Sequence, residues 1–220
     1  MAIAKREVLH VGCGVQAPGK LHEVFRGEEW QEVRLDIDPA VQPDVVASLT
    51  DMGAVAAGQA DAVFSAHNLE HLYPHEVPLA LREFRRLLKP NGFALITLPD
   101  LQSVAHLVAE GRLDQPAYMS PMGPIAPLDI LFGYRPSMAE GNLFMAHHTG
   151  FTDRSLATAL VEAGFGTVSV QRHPSAFCLW AIAFPGVLGA GELGILQRLV
   201  FPPASPVPPI TFSLPTAEAA

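Results

Sequence analysis

The chain has 220 residues, 49% hydrophobic and 16% charged, a composition that supports one sizeable core and excludes a disordered polymer. Its formal net charge of −8 offers no basic surface for non-specific nucleic-acid binding, and two cysteines, Cys13 and Cys178, give no disulfide framework. The first apolar run, after Lys5, Arg6 and Glu7, is too short for a signal peptide, and Pro185, glycines and Glu192 interrupt the late apolar stretch Phe177 to Phe201, so no membrane span and a cytoplasmic location are expected.

In chain order, VLHV (8–11) reads as a buried strand ended by glycine, EVRLDIDP (32–39) as a second strand, PDVVASLTDM (43–52) as a third and ADAVFSA (60–66) as a fourth. HEVPLALREFRRLLKPNG (75–92) is an amphipathic helix with Val77, Leu81, Phe84, Leu87 and Leu88 at helical spacing and a Lys-Pro-Asn-Gly stop. FALITLP (93–99) is a fifth strand. TDRSLATALVEAGF (152–165) is a helix capped at Thr152 or Asp153 and stopped at Gly164. GTVSVQRH (166–173) and FCLWAIAF (177–184) are the last two strands, and the short PSA link between them permits only a hairpin. Near-continuous apolar strands alternating with helices predict an α/β fold: a seven-stranded, mostly parallel sheet, helices on both faces, the last strand antiparallel. Residues 101–150 carry Pro, Met and aromatics without clear periodicity and are expected to form a substrate-side cap insertion in a 1–200 domain, followed by a Pro-rich tail, 201–220, extended or disordered.

The loop VLHVGCGVQAPGKL supports several ligand readings. Gly14 to Lys20 spells the start of a phosphate-binding P-loop, but Leu21 stands where a Mg²⁺-binding hydroxyl is needed and Pro18 removes an N–H. Gly12 to Ala17 spells G-x-G-x-x-A, a dinucleotide fingerprint, and Asp36 ends the next strand where a ribose-binding acid belongs. S-adenosylmethionine (SAM) presents the same ribose diol, so loop and acid alone do not separate the two cofactors.

Taken together and in order, VLHVGCG, VRLDIDP, LTDM, DAVFSAHNLEHL, LLKPNGFALITLPD and FTDRSLATALVEAGF resemble the class I SAM-dependent methyltransferases, in particular their small-molecule branch, over roughly residues 8–184. The resemblance implies a Rossmann-like fold and SAM as cofactor. It implies that Gly12, Cys13 and Gly14 pass close to the amino-acid part of SAM and that Asp36 takes the ribose hydroxyls. Ile37 then packs on adenine, Asp51 and Met52 read the adenine, and Ser65, Ala66 and His67 stand near the transferable methyl. In the family an acid stands at the position of His10 and a glycine at that of Gln16, and the link PAVQP after the second strand is too short for the family's helix.

His67-Asn68-Leu69-Glu70-His71 also spells H-x-x-E-H, an inverted zinc-peptidase motif: on a helix His67 and His71 would share one face and reach a metal, with Glu140 one candidate for the further acid. Its place after a buried strand, where the family commonly carries L-E-H without zinc, argues for no metal. A methyl acceptor with an O–H or N–H needs a base, for which His67, His71, His147 and His148 are the candidates. Met119, Met122, Met138 and Met145 with Tyr118, Phe132, Tyr134 and Phe144 suit a pocket for an apolar or aromatic small molecule. Arg135 is a candidate for holding a carboxylate or phosphate, or simply a surface arginine. The expected function is methyl transfer from SAM to a small molecule by direct displacement, with neither nucleic acid nor membrane as partner. The rivals are a noncatalytic scaffold of the same fold, favoured by His10, Gln16 and the missing helix, and an NAD(P)-dependent reductase, favoured by the fingerprint and Asp36.

Overall fold

The computed structural model describes residues 4–203 and 207–214. The first half runs β1 (Arg6–Val11), β2 (Trp30–Asp36), β3 (Val45–Val46), β4 (Ala60–Ala66), α1 (Val77–Leu87) and β5 (Leu88–Pro99). Then come α2 (Leu101–Ala109), a small hairpin of β6 (Tyr118–Ser120) and β7 (Gly123–Ile125), α3 (Pro127–Phe132) and α4 (Arg135–Ala139). The last part is α5 (Asp153–Glu162), β8 (Thr167–His173), β9 (Cys178–Phe184), α6 (Ala190–Val200) and β10 (Ile210–Ser213). Among the described residues no helix is long and apolar enough to cross a membrane.

The main sheet has eight strands in the order β10-β8-β9-β5-β4-β1-β2-β3. β1 pairs parallel with β2 and β4, β2 with β3, and β4 with β5, whereas β9 lies antiparallel between β5 and β8. The mostly parallel sheet and the hairpin of β8 and β9 match the sequence reading. The strand count does not: Ile210–Ser213, inside the segment read as a Pro-rich tail, adds an eighth strand antiparallel to β8. The four residues between Pro209 and Pro215 that form it contain no proline and are free to pair at the sheet edge. The third strand is only Val45–Val46, and the link before it forms a single 3-10 turn, Pro39–Val41, rather than a helix.

The sheet is covered on both faces. Leu9, Val11 and Val63 face α1 and α5, where Val77, Leu81, Phe84, Leu156 and Leu160 are buried. Val8, Phe64 and Ile182 face Phe25 and the buried Leu193 and Val200 of α6. α1 ends at Leu87, earlier than the 75–92 periodicity suggests, because Leu88 turns extended and pairs with Ala60. Pro90 explains the stop: it disfavours helical backbone at Lys89. α5 begins as expected, with the Thr152 side chain accepting from the Ser155 N–H.

The 101–150 segment packs a small cluster of its own around Val104, Ile125 and Ile130. Asp129 organises it, accepting from the Ala126 N–H at 2.9 Å and from Arg135 Nε at 2.7 Å. Arg135 is thereby engaged within the segment.

Candidate active site

The carboxyl ends of β2, β1 and β4 lie side by side, the position where open α/β sheets bind ligands. The G-C-G loop leaves β1 there with Gly12 at φ +60° and Gly14 at φ +58°. Both conformations suit glycine, and a Cβ at Gly12 would collide with the Asn68 amide. Asn68 Nδ2 donates to Val11 O at 2.9 Å and to Ala66 O at 3.2 Å, tying the end of β4 to the end of β1. Asp36 closes the other side: Oδ2 accepts from the Gly14 N–H at 2.7 Å and Oδ1 from the Asp38 N–H at 3.0 Å.

Arg34 pins the loop from below. Its Nη2 donates to Gly14 O at 2.6 Å, and Nη1 reaches Gln42 O at 2.8 Å, which joins the G-C-G loop to the turn after β2. Lys20 Nζ stands 3.5 Å from Cys13 O, over Gly14. His10 does not face this loop as a free group. It is 4% exposed, and its Nδ1 donates to Glu32 Oε1 at 2.6 Å. Burial is the largest influence on His10 and pushes its pKa down despite Glu32. Lys20 enters the sequence reading only as the end of the P-loop spelling, and nothing in the sequence gives Asn68, Glu32 or Arg34 a role, because each acts through a partner from another strand or turn.

The remaining expected cofactor residues divide. Ser65, Ala66 and His67 do sit at the end of β4, and Ile37 is 52% exposed beyond the end of β2. Asp51 is exposed, with Oδ1 accepting from the Gly53 N–H. Met52 is fully buried in the core on the α1 face, and its N–H donates to Glu83.

A cavity of about 300 Å³ opens at the ends of β4, β5 and β9, lined by Lys20, His22, Phe64, Ala66, Thr97 and Trp180 among others. The His22 and Trp180 rings meet edge to face, with centroids 5.4 Å apart. Residues 101–150 contribute nothing to its lining. Met119, Met122, Phe132 and Phe144 are instead each at least 60% exposed.

The four histidine candidates separate in the same way. His67 adopts φ +56°, and its Nδ1 lies 3.3 Å from Glu70 Oε1. Leu69–His71 is a 3-10 turn, so the α-helical face that H-x-x-E-H implied does not form. Glu140 is exposed and takes no part. His71, Glu70 and His147 come together, their ligand-type atoms all within 4.8 Å of one another. Burial pushes the His147 pKa down. His148 stacks on Tyr73 at 4.2 Å between centroids, and its N–H donates to Glu70 O at 2.8 Å.

Residues 9–96 match the family described as methyltransferase domain. No curated protein matches the sequence significantly. Among solved structures, a protein of Pyrococcus horikoshii is similar at 15% identity and TM-score 0.56, with 82% of each chain covered. A SAM-dependent methyltransferase of Methanosarcina mazei is 16% identical with TM-score 0.55, over 84% of this chain and 94% of that one. One of Archaeoglobus fulgidus is 15% identical with TM-score 0.52, over 82% of this chain and 86% of that one. Residues 9–96 thus resemble a methyltransferase domain, and the chain has the fold of these solved SAM-dependent methyltransferases.

Proposed function

We propose that the chain transfers the methyl group of SAM to a small, apolar or aromatic acceptor by direct displacement. The observation that carries this reading is the cavity of about 300 Å³ at the ends of β4, β5 and β9, walled by Phe64, His22 and Trp180 with Lys20, Glu23 and Arg26 also in its lining, a volume at the lower end of small-molecule sites. Gly12, Cys13, Gly14, Asp36, Ile37, Asp51, Ser65, Ala66 and His67 are assigned to the cofactor, with Met52 supporting Asp51 from the core. The fit rests on a tight loop whose Gly12 and Gly14 both take positive φ at the carboxyl end of β1, and on an Asp36 carboxylate held in place by two N–H donors.

The bound cofactor supplies an activated methyl on a sulfonium. The chain's own task is then alignment and exclusion of water. Phe64, His22 and Trp180 supply apolar walls. His22 Nδ1 accepts from the Val24 N–H at 3.2 Å, so its proton sits on Nε2, a donor for an acceptor's oxygen. Burial pushes the His22 pKa down, which favours this neutral form.

The test is calorimetric titration of the full chain with S-adenosylhomocysteine, with NAD and ATP as parallel controls. Roughly micromolar affinity, about −8 kcal/mol, is expected for the SAM product alone. A panel of phenolic, heteroaromatic and aliphatic acceptors, assayed with labelled SAM, then tests the acceptor class. Turnover confined to charged acceptors refutes it, and NAD binding in place of the SAM product refutes the cofactor assignment.

A further inference from the structure

We propose that Glu70, His71 and His147 form a binding site for a single divalent transition-metal ion of the zinc class. Glu70 is the starting point. It is 1% exposed, and among the described residues neither carboxylate oxygen has a hydrogen-bond partner. A buried carboxylate without donors is costly, and it persists where a cation compensates it. The His67 ring, 3.3 Å from Oε1, faces one oxygen only and is itself 56% exposed.

The two other residues are oriented as ligands. His71 Nδ1 lies 3.0 Å from Ala146 O, and His147 Nδ1 lies 2.8 Å from Ile130 O. A carbonyl only accepts, so each ring carries its proton on Nδ1 and leaves Nε2 with a free lone pair. This is how ligating histidines are held, with the second ring nitrogen donating to a carbonyl. The ligand-type atoms of Glu70, His71 and His147 lie within 4.8 Å of one another. Metal bonds of about 2.0–2.2 Å ask the widest pair to close by about 1.4 Å, a side-chain adjustment. A cavity of about 20 Å³ adjoins Glu70 and His147, room for about one water-sized group.

Two imidazoles and one carboxylate suit zinc-class ions over Ca²⁺ or Mg²⁺, and three protein ligands leave the fourth position open. The site joins the turn after β4 to His147, at the far end of the 101–150 segment. A bound ion would hold that segment against the end of β4.

The experiment uses the full chain, stripped with chelator and dialysed, and titrated with Zn²⁺ by calorimetry and with Co²⁺ by visible absorption. One ion per chain is expected, with the ligand-field bands of low-coordinate Co²⁺. Zn²⁺ at a hundredfold excess over Kd should raise the melting temperature by about 5–10 °C. Glu70→Gln and His147→Asn should each weaken binding at least tenfold, whereas Glu140→Gln should leave it unchanged. Each variant's melting in chelator reports whether it folds, and wild-type stoichiometry is decisive on its own. Absence of saturable binding overturns the proposal, as does binding that folded Glu70→Gln and His147→Asn retain. Titration with S-adenosylhomocysteine alongside keeps failure here distinct from failure of the methyltransferase reading.

Discussion

Gly12→Ala puts the geometry of the strand ends to a quantitative test. Gly12 sits at φ +60°, where an alanine costs about 1–2 kcal/mol in backbone strain alone. Its new Cβ also occupies the space of the Asn68 amide, which must swing away. That movement gives up the bonds to Val11 O and Ala66 O, about 1 kcal/mol each. The expected loss is about 3 kcal/mol, or about 6–12 °C in melting temperature for a domain of this size. Denaturant unfolding of four proteins resolves the two contributions: wild type, Gly12→Ala, Asn68→Ala and the double variant. In the Asn68→Ala background the clash is gone, so Gly12→Ala should cost only the strain, and the cycle should show a coupling of about 2 kcal/mol. Additive effects would show that the Asn68 amide does not fill the space above Gly12. A Gly12→Ala protein that melts within a degree of wild type would refute the strain argument as well.

Asp36→Ala frees the Gly14 and Asp38 N–H groups and should weaken S-adenosylhomocysteine at least tenfold in calorimetry, with a melting temperature lower by only a few degrees. Trp180→Leu should lower kcat/KM for the acceptor at least tenfold while leaving cofactor affinity within about twofold, by steady-state assay and titration. Arg172→Met strands the fully buried Asp100, which Arg172 reaches at 2.9 and 3.0 Å, and should cost about 3–5 kcal/mol in urea unfolding; adding Asp100→Asn should recover part of it. His10 has its pKa pushed below the ordinary 6.5 by burial, so as pH falls below 6.5 the unfolded chain takes up this proton before the folded one. Stability is therefore lost as pH drops from 6.5 towards the folded pKa, and His10→Gln should flatten that slope by one group's share in melts between pH 7 and 5.

The legible parts of the fold were those written in short-range pattern. VLHV, ADAVFSA and FALITLP have no polar interruption beyond a strand's tolerance, apart from His10, and they became β1, β4 and the core of β5. The helix over 75–92 was visible in its spacing, but its end was not, because the strand pairing of Leu88 with Ala60 is a tertiary choice. β10 was hidden for a related reason. Four residues after a proline cluster carry almost no local signal, and what makes them a strand is the open edge of β8. The exposed side chains of Met119, Met122, Phe132 and Phe144 show a different limit. Their composition suggests a lining, but whether an apolar side chain points into a cavity or out of it depends on packing that composition does not encode.

His10 and Glu32 show the same limit at the level of the site. In the linear sequence, a histidine where the family carries an acid reads as damage to the cofactor loop, and with Gln16 and the missing helix it favours a noncatalytic scaffold. In the fold, β1 and β2 are parallel neighbours with Val8 opposite Glu32, which brings the Glu32 carboxylate within 2.6 Å of His10 Nδ1. The acid is present beside the strand but supplied by the neighbouring one, and the histidine is its buried partner. If that pair replaces the missing acid, Glu32→Gln should weaken S-adenosylhomocysteine as well as stability. If the pair only braces the sheet, Glu32→Gln should lower the melting temperature and leave the titration unchanged. The two outcomes divide cleanly because His10 and Glu32 lie on the strands beneath the G-C-G loop, whereas Gly14 and Asp36 form its rim. A loss of affinity at Glu32 would remove one of the three sequence arguments against catalysis, and its absence would shift the whole burden of cofactor binding onto Asp36 and the loop backbone.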